Sequence, residues 1–249
     1  MGLLQSLKNC RGGVVLVSAV GQGDCPSSQL KGEYMNQFRC ALVGAASFDK
    51  EHFLAQDFDE IIAVDGGYAA LLEAGVAPDF ALGDFDSLGY VPKGVPIEKH
   101  PSMKDDSDTA LAIDWARLHG AGGIAVYGAL GGRLDHTLAS VAALVNAARS
   151  GVCAVAVGEG SAVVVLASGM SLSLPAYEQG TFSVFSACDV SRGVRESGSL
   201  YEVDGIDLPN DVTLGLSNEF KGEPVRISVA EGALVVVLPA VPLADIVVA

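Results

Sequence analysis

Gly123-Ile124-Ala125-Val126-Tyr127 is followed by Gly128-Ala129-Leu130-Gly131-Gly132-Arg133 and then by Leu134–Arg149. The first segment is short, apolar and bounded by glycine, as a buried strand is. In the last, Leu134, Leu138, Val141, Val145 and Ala148 recur at helical spacing, and Gly151 follows as a stop. Strand, glycine-rich turn and helix in succession predict a mostly parallel sheet covered by helices.

Upstream the alternation continues. Arg39–Val43, Glu60–Val64 and Ile97–Lys99 read as strands. Tyr68–Ala74 reads as a short helix ended by Gly75. Ser107–His119 reads as a longer one, with Leu111, Trp115 and Leu118 on one face and Gly120 after it. Downstream the texture changes near Gly151. Short β-rich runs recur at Ala154–Val157, Ala162–Leu166, Ser171–Leu174, Thr181–Phe185, Val225–Val229 and Ala233–Leu238, separated by turn residues. Many short strands with regular turns predict a β-sandwich. The expected layout is therefore an α/β N-terminal domain, residues 37–152, and an all-β sandwich, residues 153–249. Residues 1–36 form an extension of unassigned role, with Val14–Val20 as a candidate strand and Gly21–Asn36 as a loop.

The 249 residues carry 30 acidic and 15 basic side chains, a formal charge of −15. A phosphate backbone needs basic patches, so nucleic acid is excluded as an expected partner. Twelve Asp or Glu face three Lys between Asp57 and Asp108. This local excess is either a solvated acidic face or a set of acids converging on a cation. The five cysteines are odd in number and contain no CxxC pair, which fits a reducing compartment. No apolar stretch reaches the roughly 20 residues of a membrane helix, and the N-terminus lacks signal-peptide features. The expectation is a soluble, cytoplasmic protein with no membrane partner.

Three polar stretches carry the candidate chemistry. In Gly83-Asp84-Phe85-Asp86-Ser87 the two acids sit two apart. In extended chain they would share a side while Phe85 points inward. Such a pair at a strand end can hold a divalent ion or simply make a turn. Lys104-Asp105-Asp106-Ser107-Asp108 precedes a helix. Asp106 or Ser107 is a candidate N-cap, and Asp108 is favoured by the helix dipole. Lys104 can pair with these acids or reach a phosphate. Arg133 and Asp135 flank the start of the long helix, after a glycine-rich turn able to present backbone N–H groups to phosphate. Arg133 would add a bidentate clamp; otherwise it is a solvated arginine beside Asp135 as an N-cap. His136 reads as structural. Asp65-Gly66-Gly67 follows a strand, and Gly215–Phe220 is a polar stretch between β runs. Each reads alone as a turn. Hard oxygen ligands suit Mg²⁺, bound through a few carboxylates and substrate phosphates.

Taken in order, Asp65-Gly66-Gly67, Gly83–Ser87, Asp105–Asp108, Gly132–Asp135 and Ser217–Phe220 resemble the motifs of the thiamin pyrophosphokinase family. The similarity covers roughly residues 38–240, with five motifs in series. It implies an α/β domain, a β-sandwich and a homodimer with sites between subunits. It implies transfer of the terminal diphosphate of ATP to the hydroxyl of thiamin, giving thiamin diphosphate and AMP. Asp84, Asp86 and Asp108 are then expected as Mg²⁺ ligands. Asp65, Lys104, Arg133 and Asp135 are expected as nucleotide or phosphate contacts, and Ser217 and Asn218 as part of the thiamin pocket. The chain departs from the pattern in having Gly44-Ala45-Ala46 where the family has Gly-Gly after its first strand, and in its N-terminal extension. The alternatives are a pyrophosphokinase acting on another alcohol, such as a pterin, and a non-catalytic nucleotide-binding sensor module.

Overall fold

The computed structural model describes residues 38–99 and 106–249. The candidate strand Val14–Val20, the loop Gly21–Asn36, and Lys104 and Asp105 lie outside the described residues.

The first part of the chain runs β1 (Phe38–Val43), α1 (Lys50–Leu54), β2 (Glu60–Val64), α2 (Gly67–Glu73), β3 (Phe80–Gly83), β4 (Ile97–Lys99), α3 (Asp108–Leu118), β5 (Gly123–Tyr127) and α4 (Leu134–Arg149). The rest is β: β6 (Cys153–Gly158), β7 (Ser161–Ala167), β8 (Ser171–Ala176), β9 (Thr181–Ser186), β10 (Val190–Ser197), β11 (Val203–Pro209), β12 (Asn218–Glu219), β13 (Pro224–Ser228), β14 (Ala233–Pro239) and β15 (Val247–Val248). Of the strands expected between residues 37 and 150, Glu60–Val64, Ile97–Lys99 and Gly123–Tyr127 have their expected ends and the first begins one residue earlier, at Phe38; the three expected helices lie within a residue of their expected ends. Strand β3 and helix α1 were not expected.

Ten strands form one mixed sheet in the order β12-β9-β14-β7-β6-β5-β1-β2-β3-β4. From β4 to β6 every pairing is parallel. The chain builds outward from β1 through β2, β3 and β4, then returns to place β5 on the other side of β1. That reversal creates a switch point between β1 and β5. The sheet does not stop at the change of sequence texture: β6 pairs with β5 over five residues, Gly123↔Cys153 to Tyr127↔Val157, and then turns back antiparallel into β7. A second, five-stranded sheet has the order β11-β10-β13-β8-β15.

Alternation along each strand divides the core. Cys40 and Leu42 of β1 join Ile113, Ala116, Leu144 and Ala147 on the face covered by α3 and α4. Ala41 and Val43 point the other way, into a cluster containing Phe53 of α1 and Leu71 of α2. That same cluster continues through Val164, Leu166 and Val236 to Leu172, Leu174, Val225 and Ile227 of the second sheet. The two sheets thus share one apolar layer. Helix α4 also packs on β6, β7 and β14, bridging the two halves of the long sheet. Among the described residues, no helix is long and apolar enough to cross a membrane.

Candidate functional site

In open parallel sheets, ligands bind beyond the carboxyl ends of strands at the switch point. Here Val43 of β1 lies opposite Ala63 of β2 and Tyr127 of β5, so the three strands end nearly level. Beyond them lies a cavity of about 380 Å³. Its floor is Gly44–Ala46, Gly128 and Ala129, and its rim includes Asp65, Ser107, Asp108 and His136.

The glycines of that floor are required by packing. A Cβ on Gly44 would lie 2.6 Å from the Gly128 carbonyl oxygen, and one on Gly128 2.4 Å from the Gly44 oxygen. The Gly44 N–H donates to Tyr127 O at 2.8 Å, and the Ala46 N–H to Gly128 O at 3.0 Å. The two loops are therefore stitched together at van der Waals distance. The Gly-Ala-Ala sequence keeps the glycine where the backbones touch. Beneath them the fully buried Tyr127 has its hydroxyl within 3.0 Å of His52 Nδ1, and His52 Nε2 is 2.9 Å from Val241 O. This anchors the end of β5 to α1 and to the C-terminal segment.

The acids assemble through strand register. Val64 of β2 lies opposite Leu82 of β3, and the Asp65 N–H donates to Leu82 O at 2.7 Å. Asp65 and the Gly83–Ser87 stretch therefore leave the sheet side by side. Asp65 has φ 48°, in the left-handed region, and so has Phe85, at 61°. The expected extended geometry of Asp84 and Asp86 is therefore not what separates them from Phe85. A left-handed turn at Phe85 drives its ring into the core, 2% exposed, and leaves the acids outside. The Asp86 N–H closes the turn on Asp84 Oδ1 at 3.1 Å. Left-handed backbone costs a non-glycine residue of order 1–3 kcal/mol and tends to collect at functional sites. Among the described residues only one further non-glycine position has it, Ser217 at 58°. All three fall within the motifs singled out above.

One carboxylate oxygen each from Asp65, Asp84 and Asp86 lies within 4.8 Å of the others. Ser87 Oγ donates to Asp65 Oδ2 at 2.6 Å, while Asp65 Oδ1 is buried without a hydrogen-bond partner among the described residues. Three carboxylates that offer one oxygen each, with a buried Asp65 oxygen left without a partner among the described residues, fit a hard divalent cation such as Mg²⁺. Asp108 does not belong to this trio. It opens α3 behind the N-cap Ser107, whose Oγ accepts from the Ala110 N–H at 3.3 Å, and it lines the same cavity as Asp65.

Arg133 is the N-cap residue of α4 and makes no side-chain capping bond. Its Nε and Nη2 donate to Asp135 Oδ1 and Oδ2 at 3.1 and 2.5 Å. This hydrogen-bonded guanidinium holds the Asp135 carboxyl below the usual carboxylate range. Asp135 therefore does not cap the helix, and both side chains are mostly exposed. The fork of Arg133 lies in solvent at the N-terminus of α4, next to His136 on the cavity rim.

In the second half, Ser217 is exposed and Asn218 is 5% exposed. The Asn218 amide is engaged on every side. Its Nδ2 donates to Glu196 Oε2 at 2.8 Å, Ser199 Oγ at 3.1 Å and Tyr201 O at 2.8 Å. Its Oδ1 accepts from the Tyr201 and Glu219 N–H groups. Asn218 thus locks the loop that presents Ser217. Two features of the region escape sequence reading: Ser87 as the partner of Asp65, and Glu196 as the partner of Asn218.

The model of the thiamin pyrophosphokinase catalytic domain matches residues 52–156. A thiamine pyrophosphokinase of Bacillus subtilis (strain 168) is 35% identical over 97 residues, which span 36% of this chain and 45% of the relative. The chain thus matches about half the length of that curated relative. Among solved structures, a thiamin pyrophosphokinase from Geobacillus thermodenitrificans is 25% identical with a TM-score of 0.69, over 80% of this chain and 96% of that one. A thiamine pyrophosphokinase from Bacillus subtilis, 21% identical, has the same fold, with a TM-score of 0.70 over 80% and 98% of the two chains.

Proposed function

We propose that this chain, a member of the thiamin pyrophosphokinase family, transfers the terminal diphosphate of ATP to the hydroxyl of thiamin, giving thiamin diphosphate and AMP. The observation that carries the reading is the meeting of Asp65, Asp84 and Asp86 at the edge of the switch-point cavity.

The reaction is an in-line displacement at the β-phosphorus of ATP by the alcohol oxygen. Such transfers rely on positioning and charge stabilisation. The looped backbone of Gly44–Ala46 and Gly128–Gly131 borders the nucleotide. Asp65, Asp84 and Asp86 are the residues that would hold Mg²⁺, with Asp108 lining the same cavity as Asp65 at the N-terminus of α3. Bound there, the ion would neutralise charge on the phosphate oxygens. Arg133, released from Asp135, supplies a guanidinium fork to the transferred group. Lys104 is assigned to phosphate contact by its motif. A carboxylate of the cluster accepts the alcohol proton.

Residues 37–152 form the ATP- and metal-binding part in this reading, and residues 153–249 the thiamin-binding sandwich. The chain acts as a homodimer whose sites lie between subunits. In support, Leu200, Tyr201, Leu214 and Leu216 are exposed beside the Ser217 loop, as are Leu134 and Leu138 beside Arg133. Exposed apolar patches of this kind mark association surfaces. The free cysteines Cys40, Cys153 and Cys188 suit a reducing cytoplasm.

The deciding experiment incubates purified protein with ATP, Mg²⁺ and thiamin and measures AMP and thiamin diphosphate. A hydroxymethyl pterin in place of thiamin tests the nearest alternative. ATP binding without AMP formation from any alcohol would make the protein a sensor module.

A further inference from the structure

The Ser217 loop and the β10–β11 hairpin enclose a second cavity, of about 260 Å³. Val203, Ile206, Leu208 and Leu216 give it apolar walls, and Glu196 and Asn218 supply polar groups. An apolar cavity of about 150 Å³ already admits benzene, so this one has room for a substituted six-membered ring.

Glu196 is an unusual wall for such a space. It is 5% exposed. Its Oε2 accepts from Asn218 Nδ2 at 2.8 Å, and among the described residues Oε1 has no hydrogen-bond or ion-pair partner. Burial pushes the carboxyl above its ordinary value, opposed by the Asn218 bond. The carboxylate lines an apolar space with one oxygen bonded to Asn218, so its second oxygen is an acceptor open to a donor that enters the space. The donor must be flat enough for the walls and must carry an N–H.

Building on the thiamin reading above, we propose that Glu196 is a specificity-determining residue for the alcohol substrate. The 260 Å³ cavity takes the amino-substituted ring of that alcohol, and Glu196 Oε1 accepts an N–H from its amino group. Thiamin, an aminopyrimidine joined to a hydroxyethyl thiazolium, carries such a group. Asn218 then acts by fixing Glu196 Oε2 and turning Oε1 to the cavity.

Glu196→Gln separates reading the substrate from merely holding Asn218. The glutamine Oε1 can still accept from Asn218 Nδ2, but its Nε2 then turns a donor toward the substrate amine. A purely structural role would leave thiamin kinetics unmoved. The expected result is a rise in the KM for thiamin of about ten- to a hundredfold, the loss of a hydrogen bond to a charged group. The KM for ATP stays at the wild-type value. Calorimetric binding of thiamin to the full chain without ATP should weaken by the same factor. Val203→Phe, which narrows the cavity from the edge strand, should give the same split between thiamin and ATP. If wild type forms AMP and folded Glu196→Gln or Val203→Phe keeps the wild-type thiamin KM, the inference is overturned while the thiamin reading stands. If wild type forms no AMP with thiamin, that reading fails and the inference falls with it.

Discussion

Ser87 Oγ donates to Asp65 Oδ2 at 2.6 Å, and the other oxygen of the same carboxylate is buried without a partner among the described residues. The bond fixes the carboxylate that stands beside Asp84 and Asp86 instead of leaving it free to rotate. Ser87→Ala removes that restraint and keeps all three acids. The Mg²⁺ concentration needed for half-maximal activity should rise by about tenfold, the scale of one hydrogen bond to a charged group. An unchanged Mg²⁺ titration would separate Ser87 from the metal.

Asp84→Asn keeps shape and removes charge. Turnover should be nearly abolished while the unfolding midpoint stays close to wild type, and EDTA should silence the wild-type enzyme in the same way. Full activity of Asp84→Asn at limiting Mg²⁺ would remove Asp84 from the ligand set.

Arg133 is tied to Asp135 alone among the described residues, and both are mostly exposed. Exposed ion pairs add little to stability, so Arg133→Ala should leave the thermal midpoint unmoved. A clamp on charge that develops during transfer acts on the transition state, so kcat should fall more than the KM for ATP rises. A pure KM effect would make Arg133 an ordinary binding contact.

Gly67 begins α2 directly against β1, where a Cβ would lie 1.7 Å from the Val43 carbonyl oxygen. Gly67→Ala must push the helix off the sheet. A loss of about 3 kcal/mol is expected, as for severe overpacking, read as a lower urea midpoint. Wild-type stability would show that the helix can shift without cost.

Glu196 has a raised folded-state pKa, caused first by burial. The folded protein therefore holds this proton more tightly than the unfolded chain does. Stability from this group is present at low pH and is lost as pH rises from the ordinary value of 4.5 through the raised one. Glu196→Gln cannot ionise, so its stability relative to wild type should improve as pH rises through that window. Parallel pH–stability curves for the two proteins would refute the shift.

Much of this was legible beforehand where burial writes itself into composition. Glu60–Val64 and Gly123–Tyr127 are short apolar runs between breakers, and their ends matched. Phe80–Gly83 was hidden because its four residues run straight into the acidic motif. Strands β10 and β11 mix glycine and charge with β-branched residues, and the register between them shifts twice, so their period of two is broken. The acids stood out by type and spacing. Their grouping did not, because it depends on the pairing of Val64 with Leu82 and on left-handed backbone at Asp65 and Phe85. Glu196 looks like any charged residue on an exposed strand face until Asn218 is seen bonded to it.

The long sheet also dictates when the chain can fold. Strand β14, near the C-terminus, is an interior strand between β7 and β9, and β6 seals the fully buried β5. Among the described residues, a ribosome-bound chain that has released only its first 150 residues therefore offers no partner for the open edge of β5, a sticky intermediate. Closure waits for almost complete synthesis, and one unbroken sheet then runs from the switch-point cavity to β12 beside the Ser217 loop. Heating should give one cooperative calorimetric transition instead of two.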